Sequence, residues 1–365
     1  MRIFFRVDSS TQMGTGHLMR CLTLAHEFKG AGVEISFICR DLPGNLCSLI
    51  AKKNYELFLL PKIEDLRGLD RKENIYSAWL GADWQLDAKQ SIQILGKEKQ
   101  GLDWLVIDHY ALDVKWEKEM RSYVKKIMVI DDLADRFHDC DLLLDQNLCQ
   151  NMNVRYQNLV PQQCQLFLGP QYALLRSEFT QMKKRLRKRD GFIKRILIFF
   201  GGSDLTNETT KALKAVLRLR KDNIQIDVVV GKSNPYKEQI KNFCSNHSNI
   251  NYYCQVSNMA QLMNDADLAI GAGGSTTWER CYLGLPAIIL VIAENQLEVT
   301  AAVAKTGAIH NLGWCTQVRV EDITRALQKM IDNPSLVKEI SNVSLKIMGN
   351  KLANIISHRL KSMVE

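Results

Sequence analysis

The feature that most constrains the fold is an alternation of a short apolar run, a glycine-rich turn and a helical pattern. It occurs in both halves of the chain. In the first half, the run Ile3–Val7 is followed by glycines and by a helix predicted from His17 to about Gly30. In the second half, the run Ile193–Phe200 leads directly into Gly201-Gly202-Ser203-Asp204. Strands that alternate with helices form parallel sheets covered on both faces, so the chain is predicted to be an α/β protein.

A length of 365 residues suits two domains of this kind. We predict two Rossmann-like parallel-sheet domains facing a cleft, one at residues 1–186 and one at residues 187–350. A last helix in residues 351–365 is expected to pack back on the first domain. Ligands of open parallel sheets bind outside the carboxyl ends of the strands, so the glycine-rich turns should converge on the cleft. Further strands are predicted at Glu34–Cys39, Trp104–Ile107, Ile127–Ile130, Leu142–Leu144, Ile224–Val230, Leu268–Ile270 and Ala287–Ile292.

Composition narrows the class of protein. The ten cysteines are scattered singly, without the Cys and His spacing of a zinc site, so we expect free thiols and no bound metal. The net charge of +8 includes a basic run, Lys183–Arg189, that lacks aromatic residues and any nucleic-acid motif. We interpret this run as a solvated linker or helix face, and we expect no nucleic-acid partner. The chain start reads as a strand and no apolar run approaches membrane-spanning length, so we expect a cytoplasmic protein without membrane insertion.

His17 stands in the run Gly14-Thr15-Gly16-His17, between a strand and a helix. Glycine lets a backbone approach a ligand closely, and the free N–H groups at the start of a helix attract anions. A neutral imidazole at such a place can take a proton from water. His17 is therefore a candidate general base, the alternative being a histidine that only caps the helix.

Two common nucleotide motifs are excluded by single residues. A dinucleotide fingerprint needs a third glycine at the position of Met19, whose bulk obstructs close approach of helix and strand. The run Gly231-Lys232-Ser233 imitates the end of a P-loop, but Ile226 occupies the position of the leading glycine. We therefore expect neither a nicotinamide enzyme nor an ATPase, and no cofactor.

A second glycine-rich loop, Gly273-Gly274-Ser275-Thr276, precedes another predicted helix. Its backbone N–H groups and two hydroxyls are what a diphosphate needs when no metal or P-loop lysine is present. Glu279 lies one helical turn beyond Ser275, where a carboxylate can accept both hydroxyls of a ribose. The alternative for Glu279 is a solvent-facing helix residue.

Polar residues follow two further predicted strands, as Asp108-His109-Tyr110 and as Asp131-Asp132. Their position at strand ends favours a role in the cleft. Adjacent residues of an extended strand point in opposite directions, so Asp131 and Asp132 are not expected to bind one metal ion together. One of the two is expected to be structural.

Six longer segments carry a family resemblance: Arg6–Ser10 leading into GTGHLMRC, Ala78–Gly81, Val129–Asn147, Leu168–Phe179, Phe200–Asp204 and Gly271–Gln296. They resemble the UDP-2,4-diacetamido-2,4,6-trideoxy-β-L-altropyranose hydrolases of pseudaminic acid biosynthesis, which are relatives of the two-domain GT-B glycosyltransferases. The resemblance runs over nearly the whole chain. It is weak at residues 60–75 and at residues 348–353.

The resemblance implies a GT-B-like fold and metal-free hydrolysis of the UDP-linked sugar to the free sugar and UDP. It implies that His17 is catalytic and that Arg176, Glu279 and Asn295 contact the substrate, Glu279 through the ribose. Tyr110 is expected to orient the water or a sugar acetamido group, while Asp8 and Asn147 line the same cleft. The predicted catalytic residues are His17, Tyr110 and Asp8. The predicted substrate-binding residues are Gly14, Gly16, Asn147, Arg176, Gly202, Ser203, Gly273, Gly274, Ser275, Thr276, Glu279 and Asn295.

Two other functions remain open on these motifs. A GT-B glycosyltransferase would use the same UDP-sugar donor and the same base but pass the sugar to an acceptor hydroxyl. A non-catalytic nucleotide-sugar sensor would keep the cleft without turnover, although a pure binder needs no base such as His17. Because no second carboxylate is evident as a nucleophile, we expect single displacement with inversion. We also expect the protein to be a monomer.

Overall fold

The structure is a computed structural model that describes residues 1–63, 75–98, 101–349 and 354–364. It divides into two compact units. Unit 1 comprises Met1–Asn147, Asn151–Leu174 and Leu352–Glu365, and unit 2 comprises Leu148–Gln150 and Leu175–Lys351. The division after Leu174 falls before the predicted boundary at residue 186. Of the predicted C-terminal helix and of the weakly matching stretches, residues 64–74, 350–353 and 365 lie outside the described part of the chain.

Unit 1 is built on a seven-stranded parallel sheet. Its strands are β1 (Arg2–Val7), β2 (Glu34–Arg40), β3 (Glu56–Leu60), β4 (Leu102–Asp108), β5 (Val124–Ile130), β6 (Leu142–Asp145) and β7 (Gln165–Leu168). Their order in the sheet is β3-β2-β1-β4-β5-β6-β7. The helices of this unit are α1 (Gly16–Glu27), α2 (Cys47–Lys52), α3 (Ser77–Leu80), α4 (Trp84–Leu95), α5 (Val114–Met120) and α14 (Ile355–Ser362).

The sheet of unit 1 has an apolar core on each face, because alternate residues of a strand point to opposite sides. Phe5 of β1 packs in one core with residues of α1 and α14. Phe4, its neighbour, packs in the other core with residues of α4 and α5. The indole N–H of Trp104 donates a hydrogen bond of 2.9 Å to the carbonyl of Leu360, which ties α14 to this unit.

Unit 2 contains a second parallel sheet, of six strands. They are β8 (Arg195–Phe199), β9 (Gln225–Val230), β10 (Ile250–Cys254), β11 (Leu268–Ala272), β12 (Ala287–Val291) and β13 (His310–Trp314), in the order β10-β9-β8-β11-β12-β13. This is the strand order of a Rossmann fold. The helices are α6 (Ser177–Lys183), α7 (Glu208–Leu217), α8 (Lys237–Ser245), α9 (Met259–Asp265), α10 (Thr276–Tyr282), α11 (Leu297–Lys305), α12 (Val320–Ile331) and α13 (Pro334–Ile347).

The predicted α/β class and two parallel-sheet domains are confirmed, and every predicted strand is present within a residue or a few of its bounds. Four strands were not predicted, namely β3, β7, β10 and β13. All four form the edges of their sheets. An edge strand is covered less completely than a central one, and most residues of these four strands are half-buried or exposed.

Two arginines of the basic run differ from the predicted solvated linker or helix face. The guanidinium of Arg189 is buried and donates to five carbonyl oxygens, among them those of Met263 and Leu283. Arg187 donates to carbonyls at the end of α9 and to the carboxylate of Asp267. These side chains satisfy the last carbonyls of helices, which have no partner within the helix itself. Arg187 and Arg189 are therefore structural residues of unit 2, whereas Lys184, Arg185 and Lys188 are exposed, as predicted.

Within the described ranges, no helix combines the length and apolar character that crossing a membrane requires.

Candidate active site

In unit 1 the predicted base His17 is held by a carboxylate at the end of a neighbouring strand. His17 lies in the first turn of α1, and its Nδ1 is 2.6 Å from Oδ1 of Asp108, the last residue of β4. Asp108 also accepts hydrogen bonds from Nε and Nη2 of Arg20, at 2.5 and 2.6 Å. Gly14, with a φ of +79°, forms the turn that precedes the helix, and Gly16 is its first residue.

Asp108 is an ionised carboxylate. Burial alone would raise its pKa, but the adjacent Arg20 and His17 hold the pKa of Asp108 well below its usual range. A carboxylate that accepts the Nδ1 proton of a histidine fixes the tautomer, so that Nε2 carries the free lone pair. This pair therefore has the arrangement of a general base and the carboxylate that orients it.

The same network continues to Tyr110. Arg20 Nη1 donates to Asp132 Oδ2 at 2.9 Å, and the hydroxyl of Tyr110 donates to Asp132 Oδ1. The Tyr110 ring stands edge-on to the His17 ring, with their centroids 4.5 Å apart. Trp79, from the Ala78–Gly81 segment, also meets the His17 ring edge-on at 6.4 Å. Tyr110 is thus placed beside the base, as expected of a residue of the same site.

Asp8 is brought into a different cluster. Its Oδ1 accepts from Arg6 Nη1 at 2.7 Å and from the backbone N–H of Arg40 at 2.6 Å, and it is fully buried. Arg6 and Arg40 in turn bind Asp87 of α4. Burial would raise the pKa of Asp8, but Arg6 and His109 hold it well below its usual range. These contacts favour a structural role for Asp8 over the predicted catalytic one.

Strand alternation explains the separation of the two clusters. Val7 pairs with Asp108 in the sheet, and Asp108 shares the α1 face with Trp104 and Val106. Asp8 and His109, one residue further along each strand, point to the other face. Asp131 and Asp132, which follow β5, likewise have different partners: Asp131 binds Arg136 and Tyr156, and Asp132 binds Arg20 and Tyr110.

Three residues of this site were not among the predicted site residues, namely Arg20, Asp108 and Asp132. The sequence did mark the aspartates as strand-end residues. Arg20 follows His17 by three positions, so both occupy one face of α1, and this spacing is the signal that would have indicated it.

Asn147 follows β6, and its backbone N–H donates to Oδ1 of Asp145 at 2.9 Å. Asp145 is fully buried and also binds Arg155 and the hydroxyl of Tyr156. Tyr156 donates as well to Asp131. Burial and the negative charge of Asp132 raise the pKa of Asp145 to about 7. The segment that carries Asn147 is thereby anchored on a carboxyl group that titrates near neutrality.

In unit 2 the predicted phosphate loop follows β11. Gly273 is buried and packs so closely that a Cβ there would lie 2.0 Å from Oγ1 of Thr300. Gly274 lies beside Gln296, while Ser275 is exposed and Thr276 begins α10. Asn295 lies in the one-turn helix Glu294–Gln296 after β12. The loop and this turn are therefore neighbours within unit 2.

Glu279 is paired with Arg176. Arg176 donates through Nε to Oε1 of Glu279 at 2.9 Å and through Nη2 to Oε2 at 3.1 Å. Its Nη1 contacts Glu178, and its guanidinium lies over the ring of Phe179. Glu279 is only 8 % exposed, so the alternative of a solvent-facing helix residue is wrong. Two predicted substrate-binding residues are thus bound to each other.

The glycine turn after β8 is joined to the next strand. A Cβ on Gly231, which follows β9, would lie 2.1 Å from the carbonyl oxygen of Gly202, so the two backbones are in close contact. Ser203 lies half-buried in the same turn. Asp204 accepts from the backbone N–H groups of Glu208 and Thr209 and so caps α7.

Among the described residues, no group of three or more His, Cys, Asp or Glu side chains is arranged to hold a metal ion.

Comparisons with known proteins agree with this fold. Residues 196–356 match the family model described as the glycosyltransferase family 28 C-terminal domain. The crystal structure of Acinetobacter baumannii MurG superposes with a TM-score of 0.63 at 13 % sequence identity, covering 99 % of this chain and 98 % of that one. The chain therefore has the GT-B fold of two Rossmann-like domains.

Sequence relatives define the family within that fold. The UDP-2,4-diacetamido-2,4,6-trideoxy-β-L-altropyranose hydrolase of Campylobacter jejuni is 31 % identical over 311 residues, which cover 84 % of this chain and 97 % of the relative. A Helicobacter pylori protein named pseudaminic acid cytidylyltransferase and UDP-2,4-diacetamido-2,4,6-trideoxy-β-L-altropyranose hydrolase is 24 % identical over 265 residues, 72 % of this chain and 46 % of that protein. The chain belongs to the UDP-2,4-diacetamido-2,4,6-trideoxy-β-L-altropyranose hydrolase family, and thus to the nucleotide-sugar hydrolases.

The raised pKa of Asp145 predicts a pH-dependent stability. An aspartate in an unfolded chain titrates near pH 3.9, so the folded protein keeps a proton up to about pH 7 that the unfolded chain has already lost. The stability that this group contributes is therefore present below about pH 4 and is lost as the pH rises towards 7. We expect Asp145→Asn, which cannot titrate, to gain stability relative to the wild type as the pH rises from about 4 to about 7, with no further gain above that. Urea unfolding of both proteins across this range measures it, and a difference that is constant with pH would contradict the prediction.

Proposed function

We propose that this protein hydrolyses UDP-2,4-diacetamido-2,4,6-trideoxy-β-L-altropyranose to the free sugar and UDP, as a step of pseudaminic acid biosynthesis. The observation that carries the proposal is the His17–Asp108 pair at the start of α1. It supplies an oriented base in a chain whose family is named for this hydrolysis. An oriented base favours an enzyme over a non-catalytic sensor, because a protein that only binds does not need a base.

In the proposed reaction, Nε2 of His17 takes a proton from a water molecule. The water oxygen bonds to the anomeric carbon while the bond from that carbon to the diphosphate oxygen breaks, and the electron pair leaves with UDP. Asp108, held ionised by Arg20, stabilises the imidazolium that forms. The proton then passes from His17 to solvent.

The predicted binding residues of unit 2 hold the nucleotide in this proposal. Backbone N–H groups and hydroxyls of Gly273–Thr276 bind the diphosphate, which needs no further proton to depart. Glu279 accepts hydroxyls of the ribose, and Asn295 contacts the sugar. Gly202 and Ser203 of unit 2 and Asn147 of unit 1 are further proposed substrate contacts. We propose that no divalent metal takes part.

The proposal is tested with a UDP-release assay on the purified protein in the presence of EDTA and without any acceptor. We expect release from the UDP-diacetamido-altrose and none from UDP-N-acetylglucosamine, because the acetamido and deoxy groups select the sugar. Release that requires added divalent cation would contradict the metal-independent part. Absence of release from both sugars would favour a glycosyltransferase that waits for its acceptor.

Substitutions of the dyad should separate catalysis from binding. We expect His17→Asn to lower kcat by roughly 10²-fold or more while UDP affinity stays close to that of the wild type, since a general base contributes to the transition state. Asp108→Asn should lower kcat by a similar factor through loss of the correct tautomer. The matched control is His26→Asn on the exposed face of the same helix. Near-wild-type turnover of His17→Asn would remove the base role.

The stereochemistry of the first product tests the single displacement. Both oxygens of Asp108 are bound by Arg20 or His17, so this carboxylate is not placed as a covalent nucleophile. Attack by water on the face opposite UDP inverts the anomeric carbon. We expect proton NMR during turnover to detect the inverted anomer first, before mutarotation. First appearance of the retained anomer would overturn the mechanism.

A further inference from the structure

The helix at the proposed diphosphate site supplies little positive charge. The helix that follows the loop, α10, has only seven residues. A helix dipole amounts to about half a charge even in a long helix, whereas a nucleoside diphosphate carries more than two negative charges at neutral pH. Backbone N–H groups alone would leave most of that charge unbalanced in unit 2.

A buried cation lies beneath this loop. Arg280 is 2 % exposed, and its Nη1 would be 3.3 Å from a Cβ placed on Gly271, the residue two before Gly273. Burial lowers the pKa of Arg280 to about 10, so the guanidinium keeps its charge at neutral pH. Arg280 forms no ion pair with any residue that the structure describes. It is therefore a buried charge that no described carboxylate contacts directly, and the negative charge of Glu279 acts on it only from beyond ion-pair distance.

Two other arginines of unit 2 have more partners for their guanidinium groups than Arg280 has. Arg176 is neutralised by Glu279 and Glu178. Arg189 also lacks a paired carboxylate, but five carbonyl oxygens surround it. Arg280 has one carbonyl and two hydroxyls as partners, and its Nε has none. A buried charge with so few partners is costly unless an anion is bound near it.

The direction of the hydrogen bonds indicates where that anion binds. Arg280 Nη2 donates to the carbonyl of Ala272 at 2.8 Å and to Thr277 Oγ1 at 3.0 Å, while Nη1 donates to Thr276 Oγ1 at 3.2 Å. A guanidinium has no acceptor atom. Thr276 Oγ1 accepts in this bond, so its hydroxyl proton is available for donation to another group. Thr276 is half-buried and belongs to the loop predicted to bind the diphosphate.

We propose that Arg280 is a positioning residue and the charge partner of the diphosphate. It holds the loop through the Ala272 carbonyl, sets Thr276 as a donor towards the phosphate oxygens, and supplies the positive charge that a two-turn helix lacks. The ligand class is a nucleoside diphosphate or its sugar ester, and the inference rests on the function proposed above. Neither the sequence motifs nor the family resemblance had indicated Arg280.

The test compares ligands of increasing charge on Arg280 variants. Affinities for UDP, UMP and uridine are measured by calorimetry or NMR titration on the full chain. We expect Arg280→Met to weaken UDP binding by roughly tenfold to a hundredfold, UMP binding less and uridine binding by less than about twofold, since the lost charge matters in proportion to the negative charge of the ligand. Arg280→Lys, which keeps the charge, should recover most of the UDP affinity. The exposed Arg325→Met is the matched control and should bind all three as the wild type does.

The outcomes separate this inference from the proposed function. A wild type that binds and hydrolyses the UDP-sugar, together with Arg280→Met that binds UDP equally well, would overturn the inference alone. Equal losses for uridine and UDP would also overturn it, because they would indicate a purely structural role. If Arg280→Met does not fold, Arg280→Gln decides, since it keeps N–H donors for the Ala272 carbonyl but lacks the charge, and it should weaken UDP binding but not uridine binding. A wild type that binds no UDP would overturn the proposed function itself.

Discussion

The ionised carboxylate of Asp108 is the group on which the site of unit 1 depends. It ends β4 in the middle of the sheet, with no exposure to solvent, and it is kept charged by the guanidinium of Arg20. A buried carboxylate without such a partner would take up a proton and lose its hold on His17. Because Arg20 also binds Asp132, and Asp132 binds Tyr110, one arginine fixes the whole group of polar side chains around the histidine.

Each unit contains a buried charged side chain near its proposed site, an anion in unit 1 and a cation in unit 2. In unit 1 a buried anion, Asp108, orients a base for water. In unit 2 a buried cation, Arg280, lies under a glycine loop that is proposed to receive an anion. Both charged groups sit at the carboxyl ends of central strands, β4 and β11, where the sheet is most completely covered and the local dielectric is lowest. In a low dielectric each charge interacts more strongly with its neighbours, and a charge left without a partner costs more free energy.

Much of this architecture was predictable from local pattern. Central strands such as β11 and β12 are apolar and fully buried and could be predicted directly from the sequence, whereas most residues of the edge strands β3 and β10 are half-buried or exposed, and these strands were missed. Among site residues, His17 and the loop at Gly273 were marked by their glycines. Asp8 shows the limit of the same reasoning, because a polar residue at a strand end can serve an internal ion pair as well as a substrate.

The sequence by itself determined the α/β class, the glycine loops and the family, because these depend on periodicity and on contiguous motifs. Only the tertiary structure decided which charges are paired. His17 and Asp108 are 91 positions apart, and they meet because β1 and β4 are neighbours in register. Arg176 and Glu279, 103 positions apart, likewise meet only in the folded unit. The order of the strands in the sheet decides which guanidinium lies next to a given carboxylate. This pairing cannot be read from any single segment of the sequence.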